Sequence, residues 1–268
     1  IRVAIVFLAF NLGCLTCITK AAAVIDPALS IEGKTQLDHA HLWWQTMLNI
    51  SATNNPLLDP TGDDAGLAKV GNVLYVAGSF DPSSSRSITI SADTKLFFPL
   101  LNTYIDNTNF FGRAPFNDSP QDLASFIALP PSEVTLFCEV DGVPGAHLTN
   151  PPQHTAPANP FSTVISSPDN LLVASGLDPT LGTANPFDPA SYPTVITPAM
   201  VDGYWIGMDS FMGGETFTLR FGGNAPQLGF SQNNFLAVTV AVPEPSSFLL
   251  CGLVAVIATR RRKSHRAN

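Results

Sequence analysis

The chain has 268 residues, 45% of them hydrophobic and 13% charged, with a formal net charge of −8. Between residues 24 and 242 only six basic residues stand against 20 acidic ones, a net charge of −14. Such a surface repels phosphate backbones and excludes nucleic acid as a partner, while it suits a soluble exported protein and leaves room for bound cations.

Residues 1–23 read as a secretory signal peptide. Arg2 precedes the apolar run Val3–Ile18, and Lys20-Ala21-Ala22-Ala23 supplies the small residues of a cleavage site. The cut is expected after Ala23, with Ala21 and Ala23 as the recognised pair. Cys14 is a poor lipidation site, because Asn11 stands where a lipobox opens with Leu. The next 219 residues, 24–242, are enough for one domain with its own core. Cys138 is the only cysteine among them, so an internal disulfide is excluded. Its place in an apolar run makes it a small buried hydrophobe.

Thr35-Gln36-Leu37-Asp38 is a capping box with Asp in the Glu position, and Leu37, Ala40, Trp44, Met47 and Leu48 follow at helical spacing. A helix is predicted over 36–49. A second, short helix opens at Ser119 with Pro120 at its first position and Asp122 in its first turn. It turns Leu123, Phe126 and Ile127 to the core and stops before Pro130-Pro131.

Strands are predicted at 73–76, 86–90, 96–101, 134–140, 204–208, 215–221 and 235–242. The run Leu96–Leu101 has no polar member, as in a strand buried on both faces, although Pro99 weakens its end. Phe217, Leu219 and Phe221 alternate with Thr216, Thr218 and Arg220, so one face is buried. Asp141-Gly142 marks a two-residue hairpin turn. From Pro144 to Pro198 there are eleven prolines, which argues for long loops, no central strand, and short strands at 162–165 and 171–174. The whole reads as mainly β: a β-sandwich or jelly roll with one N-terminal helix, one short internal helix and terminal apolar signal segments.

Catalytic signatures do not emerge. Gly207, Ser210 and Gly213 miss the spacing of a nucleophile elbow. His39 and His41 lie about 200° apart on a helix, too divergent to share a zinc ion. Asp59, Asp63 and Asp64 are candidate oxygen ligands for Ca²⁺, although the segment is not an EF-hand loop and an Asp/Gly turn explains it more simply. Tyr204 and Trp205 are candidate rings for stacking on a sugar, set against the usual fate of strand aromatics, which is the core.

The tail carries the sharpest signal. Pro243-Glu244-Pro245 is followed by an apolar segment, Phe248–Thr259, and then by Arg260-Arg261-Arg262-Lys263. The apolar segment has 12 residues, short of the roughly 20 that a spanning helix needs. The basic cluster is held on the cytoplasmic side, which puts the rigid Pro-Glu-Pro at the outer face. These three parts, within 243–268, resemble the PEP-CTERM sorting signal of Gram-negative bacteria. The resemblance implies an exosortase that recognises and cuts the tail, passage through the inner membrane, and a place at the cell surface or in an exopolysaccharide-rich biofilm matrix.

A second pattern spans the domain: Trp43-Trp44, Asn55-Pro56-Leu57-Leu58-Asp59, Ala77-Gly78, Arg86, Leu96-Phe97-Phe98-Pro99 with Asn102, and Asp202-Gly203-Tyr204-Trp205. It resembles a group of exported bacterial β-domains to which no activity is assigned, and it implies a shared fold without site residues. The leading expectation is therefore a non-catalytic structural or interaction protein. A carbohydrate-binding module and a hydrolase acting on matrix polysaccharide are the alternatives. No cofactor is expected beyond the Ca²⁺ candidate.

Overall fold

The computed structural model describes residues 23–78, 83–106, 118–144, 153–155, 160–166, 169–174 and 194–242. The run expected to be a signal peptide, through Ala22, and the sorting residues Pro243, Glu244, Pro245, Arg260, Arg261 and Arg262 lie outside them.

Helix α1 (Gln36–Asn49) has the predicted bounds. The Thr35 hydroxyl accepts the Asp38 N–H at 3.1 Å, and the Asp38 carboxylate accepts the Thr35 N–H at 3.0 Å. That exchange satisfies two donors that a helix start leaves bare. Ser119 and Asp122 repeat it at 3.2 Å in each direction to open α2 (Pro120–Ile127). A single helical turn, α3, spans Leu171–Ala174.

The strands are β1 (Lys69–Val70), β2 (Val73–Tyr75), β3 (Ser83–Ile90), β4 (Lys95–Asp106), β5 (Thr135–Val140), β6 (Val143–Pro144), β7 (Gln153–Thr155), β8 (Phe161–Ile165), β9 (Thr194–Met208), β10 (Thr216–Ala225) and β11 (Phe230–Val240). One sheet runs β1-β2-β4-β9-β7, with β8 also on β9. The other runs β3-β11-β10-β5-β6. The pairs β2/β4 and β3/β11 are parallel and the rest antiparallel. The chain leaves the first sheet after β2, lays β3 in the second, and returns with β4.

The two sheets pack face to face as a sandwich. Between them, Phe98 of β4 meets Phe221 of β10 with ring centroids 4.8 Å apart, among Ile88, Ile90, Leu219, Leu236 and Val238. On the outer side of the first sheet, Tyr75, Phe97 and Trp205 pack under Trp43 and Met47 of α1. Neighbours Phe97 and Phe98 thus face opposite cores, which explains the unbroken apolar run in β4. A small third core joins Leu123 and Ile127 of α2 to Ile105 and Met200. The hairpin at Asp141-Gly142 forms as expected, with φ of 53° and 74° at the two residues. Both angles lie in the region that a type I′ turn demands.

Four local expectations are corrected. Strand β4 runs past its predicted end at Leu101 to Asp106: the register shifts between Pro99 and Leu101, and that bulge accommodates the missing N–H. Pro198 lies inside the central strand β9, where no central strand was expected. It sits where the β8 register shifts between Phe161 and Thr163, and the last β4 partner of β9 is Ala199, so the ladder there asks little of the Pro198 nitrogen. Leu171–Ala174 is helical rather than extended, because the Asn170 side chain accepts the Leu172 N–H at 3.0 Å and starts a turn. Phe126 is 50% exposed instead of buried, for a reason that appears below.

Candidate functional site

Of the aromatic pair considered for sugar stacking, Trp205 is wholly buried and Tyr204 is 5% exposed. The Trp205 ring stacks on Phe97 at 5.5 Å and meets Trp43 edge-on at 5.7 Å. The Tyr204 hydroxyl donates to the Leu129 carbonyl at 2.8 Å. Neither ring offers a face to a sugar. Both are core, because β9 is covered on its two sides by α1 and by the second sheet.

The Asp59, Asp63 and Asp64 segment is a turn organised by Asp59. One Asp59 oxygen accepts the Thr61 N–H at 2.8 Å, the Thr61 hydroxyl at 2.7 Å and the Gly62 N–H at 2.9 Å. The other accepts the Asp64 N–H at 2.9 Å. Gly62 is required here: its φ is +93°, and a Cβ would lie 2.7 Å from the Arg86 Cβ. With its lone pairs spent on these donors, Asp59 does not gather Asp63 and Asp64 around a Ca²⁺. Among the described residues no three His, Cys, Asp or Glu side chains are placed to hold a metal ion.

Burial pushes the Asp59 carboxyl up, but the Thr61 hydroxyl and the Asp64, Gly62 and Thr61 N–H groups outweigh it and hold the pKa down at about 2, against the usual 3.8. A depressed carboxylate stabilises the fold above its unfolded pKa and loses that contribution as pH falls through the folded one. Asp59→Ala should therefore cost about 2 kcal/mol at neutral pH. The gap between wild type and variant should close as pH falls from about 3.8 toward 2. Urea unfolding across that range checks this, and a gap independent of pH would remove the carboxylate as its cause.

His39 and His41 diverge on α1 as expected. His39 Nε2 donates to the Ile31 carbonyl at 2.8 Å, which leaves Nδ1 to accept the Tyr75 hydroxyl at 2.9 Å. Burial holds this imidazole below its ordinary pKa. His41 stacks on Phe161 at 4.2 Å. Cys138 is buried, and burial pushes its thiol up to about 12, so it is inert.

A concave feature among the described residues lies elsewhere. A cavity of about 440 Å³ opens where the C-terminal half of α1, the second half of β4, the end of α2, the start of α3 and the turn from β10 into β11 converge. Its walls include Trp44 and Tyr104, stacked 4.7 Å apart, with Leu48, Leu57, Leu171 and Phe230. Phe126 and Leu228 stand in its mouth at 50% and 47% exposure. This is why Phe126 escapes the core: α2 anchors through Leu123 and Ile127 and turns Phe126 toward the opening. Asn102, Thr103 and Gln232 are the polar side chains among the described lining residues, and no charged residue lines it among them. The Thr103 hydroxyl is engaged by the Ile127 and Asp202 carbonyls at 2.8 and 3.3 Å. Trp43-Trp44 and Asn102 belong to the domain-wide sequence pattern, but no sequence signal joined them to Gln232 of β11 or to Leu228 in the turn before it.

The cavity and the ends of the described domain, Ala23 and Val242, occupy opposite poles of the sandwich. Met208 at the end of β9 bridges to Val24, and the Asp209 N–H donates to the Ala23 carbonyl at 3.0 Å. In the same region the Gly214 N–H donates to the Val240 carbonyl at 2.9 Å, and the Ala241 N–H to the Ile90 carbonyl at 2.7 Å. Strand β11 separates this pole from Phe230 in the cavity wall, a run of about 30 Å at the usual rise per strand residue.

Just past Val240, residues 241–263 match the family model of the PEP-CTERM protein-sorting motif. The chain carries a PEP-CTERM sorting signal. That signal implies export across the inner membrane to the cell surface or the extracellular space, with an exosortase as processing partner. It begins immediately after the last strand, so the PEP-CTERM motif joins the sandwich without a spacer and takes no strand from it. No characterised protein and no solved structure matches the chain. Among the described residues no helix is long and apolar enough to cross a membrane.

Proposed function

We propose that this PEP-CTERM protein is a structural and interaction protein of the cell surface or extracellular matrix, associated with exopolysaccharide, and that it works by binding rather than by catalysis. The observation that carries this reading is the polarity of the sandwich. Ala23 and Val242 lie at one pole and the cavity opens at the other, so while the sorting tail holds the chain at the membrane the cavity faces away from it. The acidic surface keeps the exported domain soluble. The interaction reading is favoured over a sugar platform built on Tyr204 and Trp205, because both rings belong to the interior.

The test is fractionation of a Gram-negative host that has an exosortase and makes exopolysaccharide. The processed protein is expected in the cell-surface and matrix fraction, and enzymatic digestion of the polysaccharide should release it. A processed protein found free in the medium whether or not polysaccharide is made would overturn the matrix assignment.

A further inference from the structure

We propose that the polar-capped cavity at the far pole is a binding site for a neutral, largely apolar small molecule that carries one hydrogen-bonding edge. Aromatic walls would hold the body of the ligand, and the side-chain amides of Asn102 and Gln232 would read its edge. The inference concerns ligand class and does not depend on where the protein finally resides.

The volume argues for a site over a packing fault. Native cores contain few voids larger than a water molecule, and this one, at about 440 Å³, falls in the range of roughly 300–1,000 Å³ typical of small-molecule pockets. The pattern of its lining points the same way. Such pockets are mainly apolar and aromatic, with a few placed polar groups. Here Trp44 and Tyr104 form a stacked wall, Phe126 and Leu228 are exposed at the mouth, and Asn102 and Gln232 are half-buried amides. Neither amide makes a side-chain hydrogen bond to the described protein, whereas the neighbouring Thr103 hydroxyl is committed to two carbonyls.

The same lining sets the class of ligand. A charged ligand would enter an apolar cavity with no counter-charge among the described lining residues, and desolvation opposes that strongly. A sugar ring presents hydroxyls on every edge, more than two amides can satisfy, and each unsatisfied hydroxyl would be costly. An amide offers both a donor and an acceptor, so Asn102 and Gln232 match a ligand edge that itself donates and accepts.

A matched pair of probes tests this: 1-naphthaleneacetamide, which is neutral and has an amide edge, and 1-naphthaleneacetate, its anionic isostere. The full chain in lipid nanodiscs is titrated with each, and empty nanodiscs account for partition into lipid. Saturable binding of the acetamide is expected, with the acetate at least ~10-fold weaker, the ratio that an uncompensated buried charge readily exceeds. The double variant Asn102→Leu/Gln232→Leu should bind the acetamide at least ~5-fold more weakly, about the worth of one hydrogen bond, while keeping the wild-type melting temperature. Phe126→Ala, at an exposed mouth position, should weaken both probes. Three results would each overturn the proposal: no saturable binding above empty nanodiscs, equal binding of the two probes by the wild type, or an unchanged acetamide affinity in a folded double variant.

Discussion

Replacing Trp205 by Ala lowers the unfolding free energy by about 3–5 kcal/mol. The ring is fully buried at the centre of the first sheet, stacked on Phe97 at 5.5 Å and edge-on to Trp43 at 5.7 Å. Aromatic pairs of this geometry add to the area that each ring buries. Deleting Trp205 leaves a void under α1 that Trp43, itself fixed by its N–H bond to the Val76 carbonyl at 3.0 Å, cannot collapse to fill. The loss is a large share of the 5–15 kcal/mol or so that holds a typical domain folded. Urea denaturation of the processed protein measures it. A cost below about 1 kcal/mol would mean that Trp205 is peripheral, with the ring free to serve as a ligand platform after all.

The second large effect is on processing. With Glu244→Ala, the full-length chain is expected to accumulate in the inner membrane of a host that has an exosortase. The wild type, in contrast, should be released with a mass that lacks the Arg260–Lys263 cluster. The structure makes this a clean experiment. Strand β11 ends at Val240, its partners in β3 and β10 are complete by that residue, and the sorting motif begins at Ala241. Glu244 lies four residues past the end of the last strand, and matched circular dichroism spectra should confirm that the defect lies in processing. Equal release of wild type and variant, read by membrane fractionation and intact mass, would contradict a role for the Pro-Glu-Pro tripeptide.

Local chemistry was legible in the chain. Thr35 and Asp38 are three residues apart, so their reciprocal bonds depend on nothing distant, and α1 has the predicted limits. Asp141-Gly142 makes its turn because two adjacent residues accept positive φ. Phe217, Leu219 and Phe221 are buried as their alternation demands, since a period of two is a property of the strand itself. The sorting motif is legible for the same reason: an order of tripeptide, apolar segment and basic cluster that needs no fold to be read.

What the sequence left open were contacts between distant segments. Periodicity announces that a face is buried but not what covers it, so Phe97 and Phe98 could not be allotted to separate cores. Tyr204 and Trp205 could not be told from exposed rings, because only the packing of α1 and the second sheet closes over them. Arg86 shows the same limit in reverse. It sits on the Ile88 and Ile90 face of β3 at 5% exposure, donating to the Ala77 and Gly78 carbonyls at 3.2 and 3.4 Å. A charge there is tolerable only because another part of the chain brings acceptors to it. The cavity is the extreme case, since Trp44, Asn102, Phe126, Leu171 and Gln232 come from five separated segments and two sheets. The sequence by itself determined the local elements and the export signal, both written in neighbouring residues. The tertiary structure decided which apolar faces close into core and which one stays open as a cavity, because that depends on the surface each face meets.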